Sequence, residues 1–416
     1  MKHKKAFFIP IALLLIALLA FAGCGGNTQT NTEQTTAGTS PVTYEGNETY
    51  ADEAVSAADA TYTSFTAYTG GALDGAGIFT TRDLRQDYDA AGATALTVED
   101  GKTIEITEAG VYVLTGSAEN CTVKITAADD AKVELVLDNV TITNESFPAV
   151  YLVSADKLFI TTAEGSENTL AVTGSFTKDG STNTDAVIFA KDDVVFSGLG
   201  TLTVKSAEGN GISGKDDLKF TGGSYAITAE DDGIEANDSI AICGGSFTIT
   251  AEDGLHAEND DDDSQGWIYI ANADIKIDAA SDAIHATTVV QIDSGDITVN
   301  GHEGIEGTVI QINGGAVNVT GQDDGINAGA KSKAYGVLIE INGGEISVSV
   351  GNGDTDAIDS NGDITVNGGT VSVTTPGSSF DYDGKATYNG GTIIINGVEV
   401  NAIPQSMMPG MMGGRR

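Results

Sequence analysis

"DGIEANDSIAICGGSFTITAED" (residues 232–253) is the first full copy of a pattern that the chain repeats in "DAIHATTVVQIDSGDITVNGHE" (282–303), "EGIEGTVIQINGGAVNVTGQD" (303–323) and "DAIDSNGDITVNGGTVSVTT" (356–375). Each copy begins with an acidic, a small and an aliphatic residue, followed by two short alternating segments around Gly-Gly or an equivalent. The aliphatic residues recur every 21–22 positions, or every 29–32 where a loop is inserted: Ile212, Ile234, Leu255, Ile284, Ile305, Ile326 and Ile358. A fixed period near twenty with period-2 alternation is typical of a β-solenoid.

Other repeat architectures fit this pattern poorly. Helical repeats are longer, and these units are rich in Gly, Thr, Val and Ile, which favour strands. Leucine-rich repeats have a similar length, but their Leu-x-x-Leu-x-Leu frame is absent from the sequence. The sequence therefore predicts an all-β, right-handed parallel β-helix with about 21–22 residues and three short strands per coil, in which Gly-Gly makes a tight corner.

The repeat also sets domain boundaries. We expect the β-helix to cover residues 98–400, which corresponds to roughly fourteen coils and a length near 65 Å at about 4.8 Å per coil. Residues 54–97 are irregular and are predicted to cap the first coil, because an uncapped solenoid end exposes strand edges. Residues 401–416, "NAIPQSMMPGMMGGRR", have no pattern and are predicted to be a disordered tail.

The N-terminus has the pattern of an exported, lipid-anchored protein. Residues 1–23 combine a basic start with an apolar stretch and end in Phe-Ala-Gly before Cys24. This pattern predicts a lipoprotein signal peptide and lipidation of Cys24. Residues 24–53 are polar and are predicted to form a flexible tether. The expected location is the extracellular face of a bacterial membrane, with membrane contact only through the N-terminal lipid.

The charge of the chain restricts its partners. Its 416 residues include 60 Asp and Glu against 20 Lys and Arg, for a formal net charge of −40. Nucleic acids and anionic bilayers would be repelled by such a surface. Cations, or ligands bridged through cations, are the favoured partners.

The repeat stacks acidic residues in two columns. We expect one column of Asp232, Asp253, Asp282, Glu303, Asp324 and Asp356, and a second of Glu235, His256, His285, Glu306, Asn327 and Asp359. Neighbouring carboxylates about 4.8 Å apart repel by roughly 3.5 kcal/mol at an effective dielectric near 20. Calcium fits this spacing, with Ca–O distances of about 2.3–2.6 Å, and further oxygens would come from Asp231, Asp323 and Asp354. The alternative is a solvated acidic face whose side chains bond to corner amides.

Several stretches resemble a known family. "GVYVLTGS" (110–117), "VELVLDNVTITN" (133–144) and "PAVYLVSADKLFIT" (148–161), with the later "DDGIEA" and "DTDAIDSNGDITVNGGT" coils, resemble secreted bacterial carbohydrate-binding β-helix domains of the clostridial cellulose- and acidic-sugar-binding lipoproteins. The resemblance covers about residues 75–400. It implies a calcium-binding right-handed β-helix with affinity for polysaccharide and no established catalysis. We therefore expect a non-catalytic protein that binds a plant cell-wall polysaccharide such as cellulose, or an acidic glycan such as pectin. The residues that match the acidic motif most closely are Asp354, Asp356, Asp359 and Asn361, whereas histidines stand at 256 and 285.

Sugar rings stack on exposed aromatic side chains, and the inserted loops carry the best candidates. The predicted carbohydrate contacts are Trp267, Tyr269, Tyr335 and Tyr382, although Tyr269 also fits a strand position in the core. Two other functions remain open. A calcium-dependent polysaccharide lyase of the pectate type needs a basic residue beside the acidic face, for which Lys215, Lys276, Lys331 and Lys333 are available. A structural surface adhesin would need no defined glycan.

Overall fold

The structure is a computed structural model that describes residues 60–353 and 355–404. The predicted signal peptide, Cys24, the tether at 24–53, Asp354 and residues 405–416 of the predicted tail lie outside the described residues. Within those ranges the one helical element is a 3-10 turn, Gly75–Gly77, and no helix has the length and apolar composition needed to span a membrane.

The chain forms a parallel β-solenoid, which confirms the predicted fold class. Each regular coil contributes one strand to each of three parallel ladders, which we number in the order in which the chain passes through them. Ladder 1 has twelve strands, so the solenoid has twelve coils rather than the roughly fourteen predicted. The prediction was too high because several coils carry insertions and therefore use more residues than the basic repeat.

Ladder 1 holds the acidic repeat. Its strands are Thr103–Ile106, Thr122–Thr126, Val150–Ser154, Ala186–Ala190, Asn210–Gly214, Ile234–Ala236, Leu255–Ala257, Ile284–Ala286, Ile305–Gly307, Ile326–Ala328, Ile358–Ser360 and Asp381–Tyr382.

Ladders 2 and 3 form the other two faces. Ladder 2 comprises Lys157–Thr162, Val194–Gly198, Asp217–Phe220, Ser239–Ile242, Trp267–Ile270, Val289–Ile292, Val309–Ile312, Leu338–Ile341, Asp363–Val366 and Ala386–Tyr388. Ladder 3 comprises Glu167–Val172, Thr201–Ser206, Ser224–Thr228, Ser246–Ala251, Ala273–Ala279, Gly295–Gly301, Ala316–Gly321, Glu345–Val350, Thr370–Thr374 and Thr392–Ile395. In the first coils two longer strands, Gly110–Glu119 and Lys132–Asn144, run through both ladders. The short strand Thr94–Thr97 pairs with the first half of Gly110–Glu119. Val398–Val400 pairs antiparallel with the last strand of ladder 3 and covers its edge.

The core is built from stacked aliphatic residues. In ladder 1, Ile234, Leu255 and Ile284 stand in register in successive coils, and each is fully buried. Burying a side chain of this size contributes about 1.5–3 kcal/mol. The alternation predicted from the sequence therefore assigns the interior residues correctly.

Glycine is required where coils approach one another closely. A Cβ on Gly254 would lie 2.4 Å from the carbonyl oxygen of Ala283 in the next coil. In the predicted Gly-Gly corner, Gly315 has a φ of +87°, which glycine adopts without steric strain. These residues set the tight corners that keep successive coils in register.

Residues 60–92, which we call the flank segment, lie along ladder 2 and not over the first coil as predicted for the 54–97 cap. Arg82 forms an ion pair of 2.7 Å with Glu134 near one end of the solenoid, and the amide of Ala72 donates to Gln311 much further along it. Phe79 and Leu84 bury their side chains on the outside of ladder 2. The outward side of ladder 2 offers this segment apolar partners, such as Ala241 and Tyr269, and hydrogen-bond partners such as Gln311. Of the predicted cap, only Thr94–Thr97 pairs at the first edge.

Candidate functional site

The outer face of ladder 1 carries a continuous column of polar side chains, which we call the outer column. Strand register places these residues directly above one another: Ser213, Glu235, His256, His285, Glu306, Asn327, Asp359 and Asp381. The order predicted for Glu235 through Asp359 is therefore confirmed. The column extends one coil further at each end, to Ser213 and Asp381.

The acids that precede each triplet form a second column at the corner, which we call the corner column. Their backbone carbonyls accept hydrogen bonds from the preceding coil, as when Gly233 donates to Asp253 and Gly254 donates to Asp282. Some of their side chains also accept hydrogen bonds from backbone amides. Oδ1 of Asp253 accepts from the amide of Asp282 at 2.7 Å, and Oδ1 of Asp324 accepts from the amide of Asp356 at 2.8 Å. Part of the acidic repeat thus has a structural role.

The first histidine cluster consists of Asp232, Asp253 and His256. Nδ1 of His256 lies 2.9 Å from Oδ2 of Asp232 and 3.6 Å from Oδ2 of Asp253. Burial raises the pKa of Asp232, although the hydrogen bond to His256 opposes this. Burial alone would lower the pKa of His256, but the hydrogen bond to Asp232 and the negative charge of that carboxylate outweigh it and raise the pKa.

The second histidine cluster consists of Asp282, His285 and Glu306. Nδ1 of His285 lies 3.0 Å from a carboxylate oxygen of each acid, and Lys331 lies 2.7 Å from Glu306. Burial opposes the charged imidazole, but the bonds to Asp282 and Glu306 raise the pKa of His285 to about 9. Burial likewise opposes the charged form of Glu306, but His285 and Lys331 lower its pKa to about 2. This cluster therefore contains its own cations.

The carboxylate cluster consists of Asp356, Asp359 and Asp381, whose candidate ligand oxygens lie within 4.8 Å of one another. Burial, followed by the charges of Asp324, Asp356 and Asp381, raises the pKa of Asp359 to about 7. A divalent cation would relieve this repulsion, and a site made only of oxygen donors suits calcium.

The other predicted metal ligands are arranged differently. Glu235 accepts hydrogen bonds from Asn210 and Ser213 and lies 3.2 Å from Lys215. Asn327 donates a hydrogen bond to Glu303. Burial and the negative charge of neighbouring acids raise the pKa of Glu303 to about 7. The three clusters described above do not include Asp231, Asp323 or Asp324. For all of these residues a metal-binding role remains a prediction.

Two insertions meet beside the second histidine cluster. Residues 258–266 and 329–337 touch where the hydroxyl of Ser332 donates to the carbonyl of Asp263. They border a cleft of about 210 Å³. Lys331 from the second insertion lines this cleft, and so does His285 from ladder 1. The insertion at 329–337 therefore delivers a lysine to the acidic face, which the repeat pattern does not encode.

The predicted aromatic contacts do not form one platform. Tyr269 is fully buried under the flank segment and donates its hydroxyl to Asp293, so the prediction of a sugar contact is wrong for this residue. Tyr382 packs against the core of the last coil. Trp267 is partly buried and lines a cleft of about 420 Å³ on ladder 2. Tyr335 is partly buried in the second insertion.

Sequence reasoning missed Asp381 and Glu258 at the acidic face. Asp381 extends the outer column, and the signal was present, since Phe380-Asp381-Tyr382 repeats the form of Ile358-Asp359-Ser360 with an aromatic residue at the core position. Glu258 was not singled out, yet it lies 3.4 Å from Nε2 of His256.

A family model and a related protein point to the same family. The family model of carbohydrate-binding domain-containing proteins matches residues 100–354. A carbohydrate-binding domain-containing protein of Acetivibrio thermocellus is 42% identical over 200 residues, which cover 47% of this chain and 70% of that protein. A solved structure, the gadolinium derivative of a polysaccharide lyase-like protein from C. thermocellum, aligns with a TM-score of 0.47 at 29% identity, over 54% of this chain and 93% of the other. By the extent of the family match and the identity to this relative, the chain belongs to the family of carbohydrate-binding domain-containing proteins.

Proposed function

We propose that this protein binds an acidic polysaccharide on the outer face of ladder 1, through calcium held between stacked carboxylates, and does not cleave it. Membership of a carbohydrate-binding family supports the class of ligand. The carboxylate cluster is the observation that carries the calcium part, because it offers three acidic side chains with no competing lysine or histidine among its members.

The donor set of this cluster fits calcium. Calcium takes six to eight oxygen ligands at about 2.3–2.6 Å and tolerates irregular geometry, so three carboxylates leave positions for water or for ligand oxygens. The raised pKa of Asp359 reflects its burial and the negative charge of its neighbours, and a bound cation would offset this charge. Asp356, Asp359 and Asp381 would hold the ion, which would supply a bridge to a uronate carboxylate.

The charge of the protein favours an acidic glycan over cellulose as the calcium-dependent ligand. A uronate polymer and this chain, with a net charge of −40, repel each other in the absence of a bridging cation. A neutral glucan has no carboxylate for the ion to bridge. Calcium should therefore have a much larger effect on binding to polygalacturonate than on binding to cellulose.

Affinity electrophoresis through gels that contain polygalacturonate tests the proposal. We expect the full chain to be retarded in calcium but not in magnesium or chelator, and Asp359→Asn to abolish the retardation. Asp296→Asn removes the same charge from an exposed position on ladder 3 and serves as the matched control. Equal mobility in calcium and chelator would contradict the proposal, and a complete lack of saturable glycan binding would favour a structural adhesin.

A polysaccharide lyase is the second candidate, favoured by the position of Lys331. Its ammonium group lies 2.7 Å from Glu306 on the acidic face, where a lyase would need a basic residue near a metal-bound uronate. A lyase would release unsaturated products that absorb in the ultraviolet. Under the binding proposal no such absorbance develops, whereas absorbance that is lost in Lys331→Met would establish the lyase.

We also propose that the protein is anchored by lipid on Cys24 at the extracellular face of the membrane. The apolar leader followed by Gly23 and Cys24 supports this. Mass spectrometry of the N-terminal peptide should find a diacylglyceryl group on Cys24. A Cys24→Ser variant should leave the membrane fraction, and a variant that stays there would contradict lipid anchoring.

A further inference from the structure

The first histidine cluster differs in chemistry from the carboxylate cluster. It places one imidazole nitrogen between two carboxylates, with distances from Nδ1 of 2.9 Å to Asp232 and 3.6 Å to Asp253. Imidazole nitrogen is a poor ligand for calcium but a preferred one for zinc and neighbouring transition metals. Mixed nitrogen and oxygen donors therefore point to a different ion.

The distances match a tetrahedral site. With metal–ligand bonds of about 2.0–2.2 Å and tetrahedral angles, two ligand atoms of one zinc ion lie about 3.3–3.5 Å apart. The two measured distances bracket this value, so side-chain movements of a few tenths of an ångström would place an ion between the three groups. Three protein ligands leave the fourth position open to water or to an oxygen of a bound ligand.

Neighbouring residues hold the ligands in the required orientation. Oδ1 of Asp253 accepts from the backbone of Asp282, which leaves Oδ2 facing His256. Nε2 of His256 is buried and makes no hydrogen bond within the described residues, but a carboxylate oxygen of Glu258 lies 3.4 Å away. When Nδ1 binds a metal, Nε2 carries the proton and its N–H donates a hydrogen bond to such a carboxylate. Carboxylate–histidine–zinc arrangements use this contact to orient the imidazole.

The second histidine cluster lacks this capacity. Lys331 contacts Glu306 at 2.7 Å, and His285 lies 3.0 Å from both Asp282 and Glu306, so two cationic groups already neutralise these acids. A divalent ion has to displace the imidazole proton at either cluster, but here it would also have to displace the ammonium group of Lys331. We infer that Asp232, Asp253 and His256 form a site for a divalent transition metal such as Zn²⁺, which is separate from the proposed calcium site.

Titration of the untagged, chelator-treated full chain with Zn²⁺ tests this inference. We expect one saturable zinc ion that a large excess of Ca²⁺ does not displace, and a visible absorption spectrum of tetrahedral type with Co²⁺. His256→Ala should abolish both signals, while His285→Ala, the matched control, should leave them unchanged. Glu258→Gln should weaken zinc binding by about 10-fold or more, as loss of an orienting carboxylate does.

Two results would overturn the inference. The first is a wild-type chain that binds no zinc saturably. The second is an equal loss of binding in His256→Ala and His285→Ala, which would mean that the two imidazoles share one ion. If His256→Ala fails to fold by circular dichroism, Asp232→Asn makes the same test. Asp359→Asn should retain zinc binding, so failure of the calcium proposal and failure of this one are distinguishable.

Discussion

Replacing His285 with glutamine tests the ion-pair network of the second histidine cluster. The imidazole contacts Asp282 and Glu306, and its side chain is only 14% exposed, so solvent screens these contacts weakly. The pKa of this imidazole is about 9, compared with an ordinary value of 6.5, and the difference corresponds to about 3 kcal/mol of stability from the protonated form. A loss of this size is large for a single domain.

The pH dependence follows from the direction of the shift. Below about pH 6.5 the imidazole is protonated in the folded and unfolded states, and its full contribution is present. As the pH rises toward 9 the unfolded state releases the proton first, so the contribution declines and is lost above pH 9. The difference in free energy of unfolding between wild type and His285→Gln should therefore be about 3 kcal/mol at pH 6 and smaller at pH 9.5.

Urea unfolding in chelator, followed by circular dichroism and by the fluorescence of Trp267, measures this difference. Both probes should give the same transition, because a single free energy of unfolding is defined only when unfolding is two-state. His302→Gln changes an exposed histidine and serves as the matched control. An NMR titration of the imidazole C–H signals measures the pKa of His285 directly. A pKa at or below 6.5, or a destabilisation that does not depend on pH, would refute the reasoning.

Three other substitutions test other parts of the molecule. Tyr269→Phe removes the hydrogen bond to the buried Asp293 and should lower the free energy of unfolding by about 1–2 kcal/mol. Urea titration measures this change. An unchanged midpoint of the urea transition would contradict the buried contact. Gly254→Val should prevent folding or lower the melting temperature sharply, because a Cβ at this position would lie 2.4 Å from a carbonyl oxygen. Gly336→Ala is the control and should behave as wild type, because a Cβ at Gly336 meets no atom within 4 Å. Asp359→Asn should stabilise the calcium-free protein at pH 8, because the raised pKa of this acid means that its charged form is disfavoured in the folded state. The gain in stability should vanish below about pH 4, where the acid is neutral in both states. A melting temperature at pH 8 that is lower than that of wild type would contradict this prediction.

Much of the fold was predictable because the repeat translates directly into geometry. A period of 2 within a strand alternates side chains between the interior and the exterior, and a period near 21 residues returns the chain to the same ladder. The positions of Ile284 and His285 follow from these two rules, and strand register confirms both. The predicted number of coils was too high because insertions lengthen some coils without adding strands.

The position of the flank segment was less accessible to sequence reasoning, although one signal existed. Strands of ladder 2 such as Ser239–Ile242 and Val289–Ile292 are buried on both faces, and their sequences lack the clean alternation seen in ladder 3. Continuous burial means that something covers the outer face. The covering residues, including Phe79, come from more than 150 positions earlier in the chain, and no periodic rule connects the two.

The sequence by itself determined the fold class, the aliphatic residues inside the solenoid and the order of the outer column, because all three depend on spacing along a regular repeat. Only the tertiary structure decided which acids are neutralised and which faces are open. Lys331 reaches Glu306 through an irregular insertion, and the amide of Ala72 reaches Gln311 across 239 positions of the chain. Contacts of this kind depend on how loops without a repeat settle on the solenoid, where packing and charge, and not periodicity, determine the partner.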